Sequence, residues 1–384
     1  MSILISVVIP TRCRPETLKA SLKSAVNQDF DDYEIVVSDN ISGDQTEEIV
    51  KSFDSDKIRY INPGKRLSMC DNWEFALSHV RGEYVIFIGD DDAVMPGGLK
   101  KLAQFIYETD KADAYMWPII TYCWPIDNRS AWVTNIPVEV TKNLLMSWDG
   151  KIDVKNNLKN IAIRTVKHGF WRYSELPMSY HNAISTRVFR EIANLSGRVF
   201  HSIAPDFITF LEIPVVADTV VRLPMPITIF GMSAKSNGGS GIAKDGEKVV
   251  QQFIDEYGQY NSHPWLPSCL HINHRFYMDP FLVPLKLFPS FYGAVKFNYS
   301  AMFAFMRRAN MIDRFFVYKH LAEIKQCHRF SVVLFELYCI AHDFFSMRRK
   351  FLNKSVLVER RVVTEDNIYD FVNVLAAEFA LAKG

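Results

Sequence analysis

The stretch Gly82-Glu83-Tyr84-Val85-Ile86-Phe87-Ile88-Gly89-Asp90-Asp91-Asp92 joins an apolar run to three consecutive carboxylates. The run predicts a buried strand over residues 84–88, so the carboxylates follow at its carboxyl end. Carboxylates a few ångströms apart repel one another, and a divalent cation with a bound polyphosphate would balance their charges. The first interpretation is therefore a metal and phosphate site. A solvated acidic turn is the alternative, since Asp favours turns and helix caps.

This strand is the last of four that alternate with helices over about the first hundred residues. Strands are predicted at residues 7–9, 33–38, 58–61 and 84–88, and helices at 15–28, 46–53, 69–79 and 96–107. The alternation predicts a parallel sheet covered by helices, with the acids on the rim where open α/β sheets bind ligands. The first strand is not followed by GxGxxG, which argues against a nicotinamide-binding domain.

The rest of the chain is predicted from composition and periodicity. Further strands are expected within residues 112–137 and 179–186, a helix over 140–167, and a mobile loop in the Gly- and Ser-rich stretch after residue 229. Proline-punctuated, Phe-rich sequence with helical patterns begins near residue 261. We therefore expect a catalytic domain at 1–228, a loop and connector at 229–260, and a helical C-terminal module at 261–384.

Charge and cysteine content narrow the classes of function. With 48% hydrophobic residues the 384-residue chain can bury a large core, and a net charge of +1 argues against a general nucleic-acid binder. Six cysteines at scattered spacings without CxxC indicate reduced thiols, no structural zinc and a cytoplasmic location. The N-terminus has no basic leader and is expected to form the first strand, and no transmembrane segment is expected.

Four motifs, taken in order, resemble the inverting family-two glycosyltransferases with a GT-A fold. They are SVVIPTR at residues 6–12, EIVVSDN at 34–40 with Ser42 and Asp44, NWE at 72–74, and the acidic stretch at 82–92. The resemblance spans residues 3–240. It implies an α/β fold of the nucleotide-diphospho-sugar transferase, Rossmann-like kind, a mixed sheet flanked by helices. A mainly helical C-terminal region is expected beyond it.

The resemblance also implies a nucleotide pocket. The residues that match it are Pro10, Thr11, Arg12, Asp39, Arg66, Asn72, Asp90 and Asp91. Asp39 would face the nucleotide base as an acceptor, with an Asx-turn or a helix cap as the alternative. Asp44 is expected to cap the helix from Thr46. Arg66 would stack on the base or pair with phosphate, or it is a solvated loop cation.

Within the acidic cluster, the resemblance assigns Asp90 to the ribose and Asp92 to a Mg²⁺ or Mn²⁺ ion bridging the diphosphate, with Asp91 in support. Hard oxygen ligands suit those ions. Inversion also requires a base for the acceptor hydroxyl, and Asp206 matches the family's position at the start of a helix. A helix N-terminus favours its ionised form, although a plain N-cap is the alternative. Glu212 is a weaker substitute.

Lys235 and Ser236 belong to the Gly- and Ser-rich loop, which resembles the segment that closes over the donor diphosphate in relatives. A plain surface loop has the same composition. Residues 261–384 carry 16 Lys and Arg against 10 Asp and Glu, interleaved with phenylalanines. This fits helices on an anionic membrane surface, or a helical module packed on the catalytic domain or an oligomer partner. Liposome co-sedimentation would discriminate between them.

The implied function is a metal-dependent transfer of sugar from a nucleotide donor, with a UDP-sugar as the expected one. The acceptor would be a hydroxyl of a glycan or lipid-linked glycan in bacterial surface polysaccharide synthesis, at the inner face of the cytoplasmic membrane. One alternative is an inactive scaffold of a glycan-assembly complex. Another alternative is a sugar nucleotidyltransferase. Such an enzyme would require a glycine-rich basic loop after the first strand, and residues 11–14 contain no glycine.

Overall fold

The computed structural model describes residues 3–125, 130–134, 153–155, 157–168, 175–236, 251–252, 255–256, 272–308, 331–335, 337, 361–365 and 367–381. The first part alternates strands and helices as predicted. Its elements are β1 (Ile5–Thr11), α1 (Pro15–Val26), β2 (Tyr33–Asp39), α2 (Thr46–Lys51), β3 (Ile58–Ile61), α3 (Met69–Ser78), β4 (Tyr84–Phe87), β5 (Ala93–Val94) and α4 (Gly98–Glu108). Strands β1 to β4 pair in parallel, which confirms the parallel core of the sheet.

The central part of the chain adds strands to two sheets. Its elements are β6 (Ala114–Met116), β7 (Ile120–Cys123), β8 (Trp132–Thr134), β9 (Asp153–Lys155), α5 (Leu158–His168), β10 (Ala183–Ser185), α6 (Thr186–Ser196), α7 (Pro205–Val216), β11 (Val220–Arg222) and β12 (Thr228–Met232). The described C-terminal elements are α8 (Ile272–Leu287), α9 (Pro289–Tyr292), α10 (Tyr299–Arg308), β13 (Arg361–Val362) and α11 (Ile368–Leu381).

The main sheet has eight strands in the order β3-β2-β1-β4-β10-β6-β11-β9. Strand β10 runs antiparallel between β4 and β6, so the sheet is mixed, as the fold prediction requires. Buried side chains of β1 fill both faces because Val7 and Ile9 join one core cluster while Val8 joins the other. A sheet covered on both faces by helices follows from these near-continuous apolar strands.

A second sheet, which is not predicted from the sequence, has the order β13-β8-β7-β12-β5. Strand β5 follows the acidic turn directly, and it pairs antiparallel with β12 at Thr228 and Ile229. The acidic turn is therefore held between the two sheets. Strand β12 begins at Thr228, the residue at which the catalytic domain is predicted to end.

Two element boundaries differ from the predictions. The helix predicted over residues 140–167 is wrong at residues 153–155, which form β9 and pair antiparallel with β11 before α5 begins at Leu158. Residues 135–152 lie outside the described residues. Helix α4 begins at Gly98 rather than Pro96 because Gly97 precedes it with a left-handed φ of 68°.

The described C-terminal elements pack on the rest of the molecule. Helix α8 lies against α7, with the Phe210 and Phe281 rings 5.1 Å apart, and Phe303 of α10 is buried. Helix α11 covers α1, where Tyr369 accepts a hydrogen bond from Asn27. These contacts favour the packed module over the membrane surface for the described part. Arg329 and residues 348–350 lie outside the described residues.

No helix among the described residues is both long enough and apolar enough to span a membrane. The three cysteines that the structure describes, Cys13, Cys70 and Cys123, are all free thiols, in line with the reduced state expected from their spacing. Both findings concern the described ranges only.

Candidate active site

A cavity of about 260 Å³ opens at the carboxyl ends of β1, β2 and β4, and α7 and β12 complete its wall. Predicted residues that line it are Pro10, Thr11, Arg12, Asn72, Asp90, Asp91, Asp206 and Ser236. The predicted residues Asp39, Arg66, Asp92 and Lys235 are not part of the lining. The parallel strands thus gather most of the predicted site at one edge of the main sheet.

Asp90 is held by the loop that follows β1. Its Oδ2 accepts a 2.7 Å hydrogen bond from the Thr11 hydroxyl, and its Oδ1 lies 3.0 Å from a guanidinium nitrogen of Arg14. Burial alone would lower the pKa of Arg14, but the charges of Asp90 and Asp91 outweigh it and the pKa is raised. Arg14 is therefore a permanent cation against the acidic turn.

Asp91 faces the cavity and carries an unfavourable charge. Its Oδ2 accepts hydrogen bonds from the Ser233 hydroxyl at 2.6 Å and the Ser233 amide at 3.1 Å. Burial, with the neighbouring charges of Asp92 and Asp90, raises the pKa of Asp91 to about 7. Within the part of the chain that the structure describes, hydrogen bonds engage only one oxygen of this carboxylate.

Asp92 lies behind the cavity wall and is fully buried. Its Oδ2 accepts hydrogen bonds from the Gly89 amide and the Tyr180 hydroxyl, both at 2.5 Å, and its Oδ1 accepts one from the Gly231 amide at 2.6 Å. Nε2 of His181 lies 3.0 Å from the same Oδ2. Both oxygens of Asp92 thus have partners inside the protein.

Gly231 on β12 is where the backbone approaches the acidic turn most closely. A Cβ atom there would lie 1.7 Å from the carbonyl oxygen of Asp91, which excludes any side chain. The Trp124 indole donates a 2.8 Å hydrogen bond to that same carbonyl. The second sheet therefore fixes the backbone of the turn from behind.

The acidic turn fits a divalent cation only if a substrate completes the coordination. In the described ranges, no three His, Cys, Asp or Glu side chains converge as a metal site. Mg²⁺ sites commonly use one or two carboxylates together with substrate phosphates and water. The buried, like-charged oxygens of Asp90 and Asp91 at the cavity wall match that donor type. A cation there would also relieve the repulsion that raises the pKa of Asp91.

Two arginines from the predicted nucleotide side meet one glutamate. Arg12 lies 2.7 Å from Oε2 of Glu256, and Arg66 lies 3.3 Å from Oε1. Burial alone would raise the pKa of Glu256, but the two arginines and Gln252 lower it overall. Arg12 and Arg66 thus converge on the carboxylate of Glu256. The same pair could bind a phosphate or carboxylate group of a ligand.

Asp39 and Asn40 end β2 at the same edge. Asp39 is buried and accepts hydrogen bonds from the Ser42 amide at 3.0 Å and the Tyr60 hydroxyl at 2.7 Å, so it does form the Asx-type turn considered as an alternative. Asn40 lines the cavity and exchanges two hydrogen bonds with the Leu67 backbone. Asn40 therefore reaches the cavity, whereas Asp39 does not.

The remaining loop predictions can also be located. Asp44 accepts a 2.9 Å hydrogen bond from the Thr46 amide at the start of α2, although Gln45 rather than Asp44 occupies the N-cap position. Asn72 accepts a hydrogen bond from the buried Ser38 hydroxyl, which fixes its amide at the cavity. Ser236 lines the cavity, whereas Lys235 is exposed beside it. The rest of the predicted loop, residues 237–250, lies outside the described residues.

Asp206 lines the cavity from the first turn of α7, after Pro205 at the first helical position. Burial raises the pKa of its carboxyl, although the backbone amides of Phe207 and Asp206 partly offset the effect. A half-buried carboxylate with a raised pKa has the basicity that a proton acceptor needs. The other acid on this helix, Glu212, is fully buried against His201 and is not part of the lining.

Several functional candidates were not assigned from the sequence. Arg14, Asn40, Trp73, Tyr180, Phe230 and Gly231 also line the cavity. Arg14 and Asn40 lie in the loops that follow the first two predicted strands, so their positions were a usable signal. Tyr180 and Gly231 reach the acids only through contacts some 90 to 140 residues apart in sequence, such as Tyr180 to Asp92 and Gly231 to Asp92, which periodicity does not detect.

A model of the family described as Glycosyl transferase family 2 matches residues 6–147. A GalNAc(5)-diNAcBac-PP-undecaprenol beta-1,3-glucosyltransferase of Campylobacter jejuni is 39% identical over 103 residues, 26% of this chain and 33% of that protein. A cholesterol galactosyltransferase of Borreliella burgdorferi is 33% identical over 111 residues, 28% of this chain and 30% of that protein. The chain therefore spans about a third of the length of these relatives.

Among solved structures, Staphylococcus aureus TarS 1-349 in complex with UDP-GlcNAc is similar, with a TM-score of 0.50. The similarity covers 88% of this chain and 92% of that one at 16% identity. At that identity the similarity bears on the fold alone. It confirms the GT-A fold expected from the motifs, with helices C-terminal to it.

Proposed function

We propose that this chain, whose residues 6–147 belong to glycosyltransferase family 2, transfers a sugar from a nucleotide-sugar donor to an acceptor hydroxyl. One observation carries the proposal. A single cavity is lined by the acidic turn on one side and by the carboxylate of Asp206, with its raised pKa, on another. These are the two groups that a direct displacement at a sugar carbon requires, one at the leaving group and one at the nucleophile.

The reaction would be a single displacement. Asp206 accepts the proton of the acceptor hydroxyl, whose oxygen forms a bond to the anomeric carbon as the bond from that carbon to the diphosphate oxygen breaks. Attack opposite the leaving group inverts the anomeric centre. Arg14 and the Ser233 amide surround the acidic turn and hold it in place as the charge of the leaving group develops. Catalysis would thus come mainly from positioning and electrostatics.

The acidic turn would hold a Mn²⁺ or Mg²⁺ ion. When bound, that ion would neutralise the charge that develops on the departing diphosphate. Asp91 is the best-placed ligand because it lines the cavity and has a free oxygen among the described contacts. A direct bond from Asp92, as the sequence predicts, would require its carboxylate to leave the Gly89 and Gly231 amides. Asp90 would then reach the ribose, since it also lines the cavity.

The donor is proposed to be a UDP-sugar. TarS, which shares the fold, is described in complex with UDP-GlcNAc. Here we assign the nucleotide to the side of the cavity that is lined by Pro10, Thr11, Arg12 and Asn40. The C. jejuni relative is named for an acceptor linked to undecaprenol diphosphate. We therefore propose a glycan or lipid-linked glycan acceptor in bacterial surface polysaccharide synthesis, reached from the cytoplasmic side of the membrane.

A thermal-shift assay tests nucleotide and metal binding together. The protein is heated with UDP, GDP or CMP, each with Mn²⁺ or with EDTA. UDP with Mn²⁺ should raise the melting temperature most, because a ligand at about 100 times its Kd stabilises the native state by about 2.7 kcal/mol. The Asp91→Asn variant should lose the Mn²⁺-dependent part, whereas Asp54→Asn, an exposed aspartate, should keep it. The proposal fails if no nucleotide gives a Mn²⁺-dependent shift.

A further inference from the structure

The segment Ser179–His181, just before β10, lies between the acidic turn and the helix that carries Asp206. It runs beside β4, where the Phe87 amide donates to the Ser179 carbonyl and the His181 amide donates to the Phe87 carbonyl. His181 has a left-handed φ of 54°, a conformation that non-glycine residues rarely adopt. The segment therefore holds a specific bent shape against the central sheet.

One end of this segment contacts the acidic turn. The Tyr180 hydroxyl donates to Oδ2 of Asp92 at 2.5 Å, and Nε2 of His181 lies 3.0 Å from the same oxygen. The other ring nitrogen of His181 is 2.7 Å from the Thr228 hydroxyl oxygen, which also accepts a hydrogen bond from the Trp117 indole. Tyr180 is thus hydrogen-bonded to one buried carboxylate oxygen of the turn, and the His181 ring lies beside the same oxygen.

The other end contacts the first turn of α7. The Ser179 amide donates a 2.8 Å hydrogen bond to the Thr209 hydroxyl oxygen, and that hydroxyl donates at 2.7 Å to the carbonyl of Asp206. Ser179 and Thr209 are both fully buried. The backbone of Asp206 is therefore connected to Asp92 through Thr209, Ser179 and Tyr180.

We propose that Ser179–His181 is a positioning segment that sets the separation between the acidic turn and Asp206. This inference rests on the proposed function, because only a displacement requires both groups at a fixed distance on opposite sides of one sugar carbon. Misplacement by about 1 Å at such a site can reduce the rate about a hundredfold. Tyr180, Ser179 and Thr209 would then act through Asp92 and Asp206 rather than on the substrate.

A packing role alone makes a different prediction. The Tyr180 ring contacts Trp73 and Phe230, with ring centroids 6.2 Å away in both cases. Tyr180→Phe keeps this ring and removes only the hydroxyl bonded to Asp92. Thr209→Val likewise keeps the volume and removes the hydroxyl that connects Ser179 to Asp206. If packing were the whole role, both variants would turn over like the unaltered protein.

The test compares Tyr180→Phe, Thr209→Val and the double variant in the full chain. Binding of UDP with Mn²⁺ is measured by calorimetry, and the hydrolysis of UDP-GlcNAc, with water as acceptor, is followed as UDP release. We expect kcat to fall about 10- to 100-fold in each single variant, with UDP affinity and KM within about threefold. The double variant should lose little more than the worse single one, because both break the same connection.

Tyr84→Phe is the matched control. Tyr84 is a buried tyrosine of β4 whose hydroxyl donates to the Ala112 carbonyl, away from the cavity. The Tyr84→Phe variant should leave kcat unchanged. Unchanged kcat in both Tyr180→Phe and Thr209→Val, or fully additive losses in the double variant, would overturn the inference while leaving the proposed function intact. If the unaltered protein neither binds UDP with Mn²⁺ nor hydrolyses UDP-GlcNAc, the proposed function fails and the inference fails with it.

Discussion

At the scale of single residues, the site depends on close contacts that leave no room for substitution. Gly231 is the clearest case, because an added Cβ would lie 1.7 Å from the carbonyl oxygen and 2.5 Å from the carbonyl carbon of Asp91. Backbone atoms cannot move aside as a flexible side chain can. A larger residue must therefore displace the acidic turn or the strand that supports it.

Gly231→Ala should accordingly weaken Mn²⁺-dependent UDP binding about tenfold or more, as measured by calorimetry. The control is Gly82→Ala, whose Cβ would lie 2.6 Å from the Ser6 amide. Both residues lie at the amino ends of β1 and β4, away from the cavity at the carboxyl ends. That variant should lose stability without a selective loss of UDP affinity in the molecules that remain folded. Undiminished Mn²⁺-dependent binding by Gly231→Ala would contradict the proposed position of the metal.

The charge of Asp91 should reduce the stability of the metal-free protein. Its pKa is raised to about 7 by burial and by two neighbouring carboxylates, so the ionised form is disfavoured in the folded state and stability falls as pH rises towards 8. Asp91→Asn removes this charge. Its free energy of unfolding at pH 8 in EDTA should be about 1–3 kcal/mol higher than that of the unaltered protein.

Urea denaturation of both proteins checks this expectation. The control variant Asp54→Asn replaces an exposed aspartate and should change the unfolding free energy by less than about 0.5 kcal/mol. Saturating Mn²⁺ with UDP should stabilise the unaltered protein and not Asp91→Asn. A destabilised Asp91→Asn variant in EDTA would mean that groups of the protein already balance the negative charges of the acidic turn.

At the scale of elements, local sequence patterns predicted the first four strands and their helices within a few residues. Each has a complete local signal, such as Pro15 at the start of α1 with buried Leu18 and Leu22 at helical spacing. The short strands that complete the second sheet had no such signal. Strands β5 and β13 are two residues long, and β12 reaches β5 from more than a hundred residues away. Their pairing is decided by tertiary contacts.

The junction of β6, β11 and α6 depends on one carboxylate. Asp113 accepts hydrogen bonds from the Asp218 and Thr219 amides at 2.7 and 3.0 Å, and it also pairs with Arg187. Burial alone would raise the pKa of Asp113, but these donors outweigh it and the pKa is lowered. The ionised carboxylate therefore stabilises the fold above the unfolded pKa, and this stability is lost as pH falls through the folded pKa.

Asp113→Asn should lower the free energy of unfolding by about 2 kcal/mol at pH 7, because hydrogen bonds to a charged acceptor are lost. The difference from the unaltered protein should shrink below about pH 4, where the carboxyl is protonated in the unfolded chain. Denaturation curves at several pH values measure this. Asp110→Asn, at an exposed aspartate nearby, should have no comparable effect. A pH-independent difference would refute the electrostatic explanation.

At the scale of the whole molecule, the described C-terminal elements extend the core of the N-terminal part. Helix α11 packs its buried face against the second sheet, and Phe371 stacks on Tyr122 with ring centroids 5.2 Å apart. Strand β13 pairs with β8 in the same sheet. Composition alone predicted a helical tail here, but not that it covers the sheet that supports the acidic turn.

Phe371→Ala should therefore destabilise the whole protein by about 3–5 kcal/mol, because it leaves a cavity in this core. Chemical denaturation followed by tryptophan fluorescence should show one shifted transition. Val374→Ala, on the exposed face of the same helix, should have an effect below about 0.5 kcal/mol. An early separate transition, with the remainder unfolding at its usual midpoint, would indicate an independent C-terminal module.

The most direct test of the account separates chemistry from binding at Asp206. In Asp206→Asn, the hydrolysis of UDP-GlcNAc should fall by about 10²- to 10⁴-fold, while the affinity for UDP with Mn²⁺ stays within about threefold of the unaltered value. Asp218→Asn, at an exposed aspartate just beyond α7, should retain full turnover. Unimpaired hydrolysis by Asp206→Asn would contradict the assignment of this carboxylate as the base.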